Sequence, residues 1–353
     1  MGSIGIIANP ASGKDVRRLV ARASVFDNQE KQAIVRRVLM GIGGTLQAIA
    51  PCTAGADLGA GRIDASAVRI AWLNDSHGIV AMALDDAGAG LPHSPVTATR
   101  TASAMDTTSA ARALRDLDCD VVLSLGGDGT NRAIALGWPT APLIPISTGT
   151  NNVFPIFVEA TIAGAAAALL ASGRIDLAMV APQHKRIHVR IDGERDDLAL
   201  IDAVLTADRF VGSRALLAPE QLRLALLTRA DPAAVGMTAI GGLLAPLAER
   251  DEGGLLLHLG AAPGAADAAP ACTIHAPIAP GLYRSVAVRR WQHTAAGKPI
   301  QVRGPGVLAF DGERERTLKP GQLATLSIER DGPRVVDVAR TLRLAAEGGC
   351  FRH

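Results

Sequence analysis

A parallel α/β domain followed by an antiparallel β-rich domain is the fold the sequence predicts, with a C-terminal tail returning to the first domain. Three observations predict it. Up to about residue 157, short apolar runs ending in polar, glycine-containing loops alternate with amphipathic helical segments, the pattern of a parallel sheet covered on both faces. Beyond Ser172-Gly173 the pattern changes to period-two and apolar runs punctuated by Asp-Gly pairs. From Asp337 to Ala346 the chain reads as helical again. At 353 residues the chain is long for one domain. The expected division is an α/β domain over 1–157, a β-rich domain over 175–330, a connecting helix over 158–174 and the tail over 331–353.

In chain order, Ile4 to Ala8 reads as the first strand and Asn9-Pro10-Ala11-Ser12-Gly13-Lys14 as the loop after it. Ser12 can cap a helix through Val16, Leu19 and Val20, which puts Lys14 in its first turn. A cation there opposes the helix dipole unless an anion is bound; a solvated lysine is the plainer alternative. A longer helix is expected from about Gln29 to Met40, with Ile34, Val35, Val38 and Leu39 at apolar spacing. Val68 to Leu73 is the second strand, Ile79 to Asp85 a helix, Val96 to Thr99 a third strand, and Ser109 to Leu117 a helix.

The run from Cys119 to Leu125 is a short buried strand that enters Gly126-Gly127-Asp128-Gly129-Thr130 and then a helix beginning Thr130-Asn131-Arg132. Glycines there allow positive φ and a close approach to a ligand. The amides of such a turn, with the helix N-terminus behind them, favour a phosphate group. Asp128 would stand beside that phosphate, where a carboxylate is repelled unless it holds a metal or takes a proton. Pro142 to Ile146 is another buried strand, ending in Ser147-Thr148-Gly149-Thr150-Asn151-Asn152. Three polar loops, each following a strand, make one site at the carboxyl edge of a parallel sheet.

The second half offers strands at Ile187 to Ile191, Leu198 to Thr206, Leu222 to Leu227, Leu255 to Leu259, Ser285 to Val288, Gly306 to Ala309 and Leu323 to Ile328. Asp202 interrupts an apolar strand, where an unpaired charge is costly; pairing with an arginine or the backbone is the plainer alternative to a functional role. Glu313, after Asp311-Gly312, taken alone is a solvated hairpin residue. His184 and His188 share a face, but Lys185, Arg186 and Arg190 beside them disfavour a metal pair, so both are read as surface residues.

Composition excludes several classes. Apolar residues at 48% can build a sizeable core, and a net charge of +2 gives no electrostatic case for nucleic acid. Aromatics at 3% argue against base-stacking surfaces. No basic segment precedes Ser3 to Ala8, so no signal peptide is expected, and the Ala160 to Ala171 run is too short to span a bilayer. Four scattered cysteines without a CxxC pair fit reduced thiols and a cytoplasmic location.

The Gly126 to Thr130 motif resembles the one shared by NAD kinases, diacylglycerol kinases and sphingosine kinases. Asn9 to Lys14 resembles the NPxSGK phosphate segment of the lipid kinases, and the run Gly5 to Asp15 looks most like the acetoin catabolism protein X family, the ATP-NAD kinase-like proteins. Thr148 to Asn152 is similar to the lipid-kinase GTGN segment. Leu200 to Val204 lines up with the LNEV strand of NAD kinases, with the acid kept at Asp202 and Ile201 replacing the asparagine. Gly236 to Gly242 looks like a shortened GSTAYxxSAGG segment without its tyrosine, and Asp311-Gly312-Glu313 resembles the lipid-kinase DGE.

The resemblance implies a Rossmann-like α/β domain, a β-sandwich and a returning tail. It implies that Asp128 is catalytic, binding metal or activating the acceptor hydroxyl. Gly126, Gly127, Gly129 and Thr130 would hold nucleotide phosphates, with Asn9, Ser12, Lys14, Thr148, Gly149, Thr150 and Asn151 assisting and Glu313 in the same binding set. Asn152 and Asp202 would line the acceptor or nucleoside. It further implies Mg²⁺, ATP as donor, NAD or NADP as substrate or product, and a homo-oligomer. The expected activity is ATP-dependent, Mg²⁺-assisted phosphorylation of the adenosine-ribose 2′-hydroxyl of NAD. A kinase of another small-molecule or lipid hydroxyl linked to acetoin catabolism, and a non-catalytic dinucleotide sensor, stay open as alternatives.

Overall fold

The computed structural model describes residues 2–13, 27–50, 68–88, 90–149, 152–207, 218–260 and 270–352. The helix expected around Val16 to Val20 lies outside the described residues.

The first half builds strands β1 (Gly2–Ala8), β2 (Val68–Leu73), β3 (His93–Val96), β4 (Val121–Gly126) and β5 (Pro142–Ser147). They pair in parallel in the order β5-β4-β1-β2-β3. Helices α1 (Asn28–Ile49), α2 (Ile79–Ala87), α3 (Ala104–Asp116), α4 (Asp128–Gly137) and α5 (Ala160–Ala171) alternate with them. α1, α2 and α5 cover one face, where Val38, Ile42, Val80 and Ala167 join Ile4, Ile6 and Leu123 in one cluster. α3 and α4 cover the other, joining Ala110, Leu114 and Ile134 to Ile7 and Val122.

Three boundaries differ from expectation. α1 runs on to Ile49, because Ile42, Leu46 and Ile49 keep the apolar spacing while Gly43 and Gly44 face open space. α3 begins at Ala104, since the Ser103 hydroxyl accepts the Met105 amide and Asp106 occupies the first turn. The third strand is displaced to His93–Val96.

A short helix, α6 (Leu177–Val180), leads to the antiparallel half. Its elements are β6 (Arg186–Ile191), β7 (Asp197–Ala199), β8 (Asp202–Thr206), β9 (Leu222–Leu227), helix α7 (Met237–Gly242), β10 (Gly254–Leu259), β11 (Cys272–Ala279), β12 (Leu282–Thr294), β13 (Ile300–Arg303), β14 (Gly306–Phe310), β15 (Glu313–Leu318) and β16 (Leu323–Glu329). A seven-stranded sheet, β11-β12-β10-β9-β8-β14-β15, faces a four-stranded one, β13-β16-β6-β7. Leu226, Leu256, Leu308 and Phe310 meet Val189, Leu326 and Ile328 between them. α7 covers the outer face of the larger sheet through Met237 and Ile240. Finally β17 (Arg334–Val335) joins the parallel sheet beside β5, and α8 (Val338–Glu347) buries Val338 and Ala345 in the α1/α5 cluster. The tail thus returns as expected, contributing a sixth strand as well as a helix.

The single strand expected from Leu198 to Thr206 is two. The chain leaves the smaller sheet at Ala199 and enters the larger at Asp202. At the corner the Leu200 and Ile201 amides, which a continuous strand would spend on a ladder, donate instead to the Asp311 carboxylate at 3.0 and 2.7 Å.

α1 and α5 pack at glycine distance. A methyl group on Gly41 would collide with the Thr161 carbonyl oxygen, and one on Gly164 with that of Val38. Since neither backbone can retreat without opening the core, Gly164→Val is expected to destabilise the fold by about 3 kcal/mol, measured as a lowered midpoint of urea unfolding.

Candidate active site

Loops at the carboxyl ends of β1, β4 and β5 meet through their own side chains. Asn9 Nδ2 donates to Thr130 Oγ1 (2.8 Å), while its Oδ1 accepts the Ala11 amide (2.9 Å). The hydroxyls of Ser12 and Thr148 lie 3.0 Å apart. The Thr148 amide donates to the Gly126 carbonyl (3.1 Å), and Asn152 Nδ2 donates to Ser147 Oγ (2.7 Å). Asn9, Ser12, Gly126, Gly127, Thr130, Thr148, Gly149 and Asn152 are therefore brought together. Lys14, Thr150 and Asn151 lie outside the described residues, and of the Glu313 side chain nothing is described.

The glycines of this turn work by close approach. Gly126, Gly127, Gly129 and Gly149 are not among the described residues with positive φ; Gly127 is extended at φ −105° and ψ −166°. A Cβ on Gly126 would strike the Thr130 side chain, and one on Gly149 would lie 2.9 Å from Gly127 Cα. Side chains at these positions would hold the β4 and β5 loops apart. Gly127 carries no side-chain cap, so its carbonyl takes the Asn131 side-chain amide (2.9 Å) and Asp128 opens α4 at the positive end of the helix dipole.

Asp128 is 7% exposed. Its carboxylate accepts the Val153 amide (3.0 and 3.1 Å) and the Phe154 amide (2.8 Å). Burial drives its pKa up to about 7, and the negative charge of Asp311 adds to the shift; the two amides and Arg229 oppose it. Arg229 lies over the Phe154 ring at 5.9 Å, donates to the Val153 carbonyl (3.4 Å) and stands 3.5 Å from Glu249.

Asp311 is 4% exposed and accepts the amides of Leu200, Ile201 and Asp202. Burial raises its pKa, against the charge of Arg132. Asp202, 6% exposed, takes the Gly312 amide at 3.3 Å. Asp128 thus feels the charge of an acid from the second half, and Asp202 is bound to that acid through the main chain.

Within the DGE tripeptide the sequence singled out Glu313 and left Asp311 without a role, and Asp311 is buried. It also passed over Arg229, a basic residue just after an apolar strand with nothing local to mark it. His184 is not a surface residue: its ring packs edge-on against Phe154 at 5.7 Å, and burial, with the charges of Arg229, Arg330 and Lys185, pushes its pKa down to about 3. His188 is paired with Asp331 at 3.0 Å.

Among the described residues no three His, Cys, Asp or Glu side chains are placed to hold a metal ion. Mg²⁺ commonly keeps one or two carboxylates and completes its shell with substrate phosphates and water. Among the described residues this loop-rich site fits that second arrangement.

The raised pKa of Asp128 has a consequence for stability. The folded chain binds this proton more tightly than the unfolded chain, so the contribution of the neutral carboxyl is fully present below pH 3.8 and lost as the pH rises through about 7. Asp128→Asn, neutral throughout, is expected to remove roughly 4 kcal/mol of the stability difference between those limits. Urea unfolding across the pH range measures it; the same slope in both proteins would refute the assignment.

The ATP-NAD kinase N-terminal domain model matches residues 4–175, and the acetoin catabolism protein X C-terminal domain model matches residues 185–331. Among solved structures, yeast NADH kinase complexed with NADH is similar over 98% of this chain and 88% of that one, with a TM-score of 0.52 and 12% identity, a likeness of fold. Acetoin catabolism protein X of Cupriavidus necator is 37% identical over 365 residues, spanning 99% of this chain and 94% of that protein. With identity of that level over almost its whole length, the chain belongs to the acetoin catabolism protein X family.

Proposed function

We propose that this chain is a kinase of the NAD kinase type, transferring the γ-phosphoryl group of ATP to the adenosine-ribose 2′-hydroxyl of NAD. The observation that carries the reading is Asp128: a buried carboxylate at the start of α4, among three converging polar loops, with a pKa of about 7. A general base works best when its pKa lies near the working pH. A carboxylate has about four lone-pair sites, and the amides of Val153 and Phe154 leave capacity for a hydroxyl proton.

In this reading residues 1–157 bind the nucleotide and 175–330 the acceptor. Asn9, Ser12, Thr130 and Thr148 orient the phosphates, assisted by the amides around Gly126 and Gly127, with Lys14, Gly149, Thr150 and Asn151 in the same loops. Asn152 and Asp202 line the acceptor side, and Glu313 is assigned to the nucleotide-binding set. Asp128 is the residue that would hold a Mg²⁺ ion, which would supply neutralisation of phosphate charge. The transfer itself asks for alignment and charge neutralisation more than for covalent chemistry.

One observation favours a second reading. The half assigned to the acceptor matches the acetoin catabolism protein X C-terminal model, and its Gly236 to Gly242 segment is a short helix, α7, packed in the core. That supports a kinase of the same mechanism acting on a different small hydroxyl compound.

Incubation with ATP, Mg²⁺ and NAD, followed by assay for NADP, separates the two. NADP formation is expected; ATP binding without NADP formation would hand the acceptor to the second reading. Asp128→Asn is expected to lower kcat about a thousandfold while the chain still folds. In the wild type kcat/KM should rise with pH through about 7, as the base ionises. Undiminished turnover in Asp128→Asn would remove the mechanism.

A further inference from the structure

Arg229 follows β9, and the backbone on both sides of it is pinned. The Thr228 hydroxyl donates to the Leu200 carbonyl (2.8 Å) and the Thr228 amide to that of Ile201 (2.9 Å), the corner whose own amides bind Asp311. On the other side the Ala230 amide donates to the Leu247 carbonyl (2.8 Å). From this base the largely buried side chain crosses to the first half. Its Nη1 donates to the Val153 carbonyl, and the guanidinium lies over the Phe154 ring, which His184 meets edge-on.

The Val153 carbonyl and the Phe154 amide belong to one peptide, and that amide donates to Asp128 Oδ1 at 2.8 Å. In a trans planar peptide the C=O and N–H point in opposite directions. Arg229 and Asp128 therefore grip the two ends of one rigid unit. The plane cannot swing its N–H off the carboxylate without also leaving the guanidinium. An arginine stays protonated in proteins, and a cation at the carbonyl end polarises the peptide, which strengthens the N–H as a donor. The amides of Val153 and Phe154 also decide which lone pairs of Asp128 stay free for a hydroxyl, so their direction sets the direction of the base.

We propose that Arg229 is a positioning residue: it acts through the Val153–Phe154 peptide to aim the Asp128 carboxylate at the acceptor hydroxyl. This rests on the phosphoryl-transfer reading. It also gives the second half of the chain a part in the chemistry of the first, through a residue that belongs to neither the three polar loops nor the acids.

The test is a double-mutant cycle on NADP formation, with Arg229→Gln made in the full-length chain and in its Asp128→Asn variant. The expected result is a fall of about thirtyfold in kcat in the first, with KM for NAD within about threefold, since a misaimed base costs turnover more than binding. In the Asp128→Asn background the same change is expected to cost less than about threefold, because the group it serves is already gone. An equal loss in both backgrounds would mean that Arg229 only supports the fold, and unchanged kcat in Arg229→Gln would remove the role altogether. If Arg229→Gln does not fold, Arg229→Lys keeps a cation and a donor and is expected to hold kcat within about fivefold of the unmodified chain. A loss there of thirtyfold or more, in a folded protein, would overturn the proposal. No NADP formation by the unmodified chain would sink the kinase reading and this role with it, a different outcome from turnover that Arg229→Gln leaves intact.

Discussion

The site depends on buried carboxylates bound by main-chain amides. Asp128 holds Val153 and Phe154, the exit of the β5 loop, and Asp311 holds Leu200, Ile201 and Asp202, the corner where the chain changes sheets. Amides that would otherwise require ladder partners are satisfied by single oxygens, so the chain can turn sharply inside the protein without leaving buried donors unpaired. Burial, with the charge of Asp311 adding to it, keeps the Asp128 carboxyl near the neutral range. Structure and electrostatics share one cause: the burial that goes with these turns also raises the pKa of both acids.

The same region ties the halves together. One turn beyond Asp128, Arg132 donates to the Leu198 carbonyl and to Asp197, both at 2.7 Å, and lies 5.0 Å over the Phe310 ring. Asp197 is in turn paired with Arg316 of β15. The helix that starts at the phosphate turn is therefore anchored to both sheets of the second half. Arg132 and Asp197 are both largely buried, and removing one partner of such a pair leaves the other charge uncompensated, so the arrangement holds the halves in one relation more than it adds net stability.

Much of this was legible in the sequence, for physical reasons that can be named. Apolar runs ending in Asn9-Pro10, Gly126-Gly127 and Ser147-Thr148 mark strands that stop where polar loops begin, and a parallel sheet then places those loops on one edge. The Asp311-Gly312 pair was legible as a two-residue hairpin turn, and Phe310 does pair with Glu313. What local pattern could not show is burial supplied from far along the chain. Asp311 looks like a turn residue because the amides that bind it are those of Leu200 to Asp202. The break in the Leu198 to Thr206 strand follows from that contact, and an apolar run carries no mark of it. His184 looks exposed among basic neighbours until Phe154 packs against it.

Placed together, the charges around the start of α4 offset one another. Asp128, Asp202 and Asp311 alone would repel phosphate, but burial favours the protonated form of Asp128 and Asp311, while Arg132 and Arg229 stand beside them. Lys31 of α1 donates to main-chain carbonyls of the β1 loop. Burial thus favours the neutral form of two of these acids while the neighbouring arginines keep their charge, so the surroundings of Asp128 are less anionic than three carboxylates would make them.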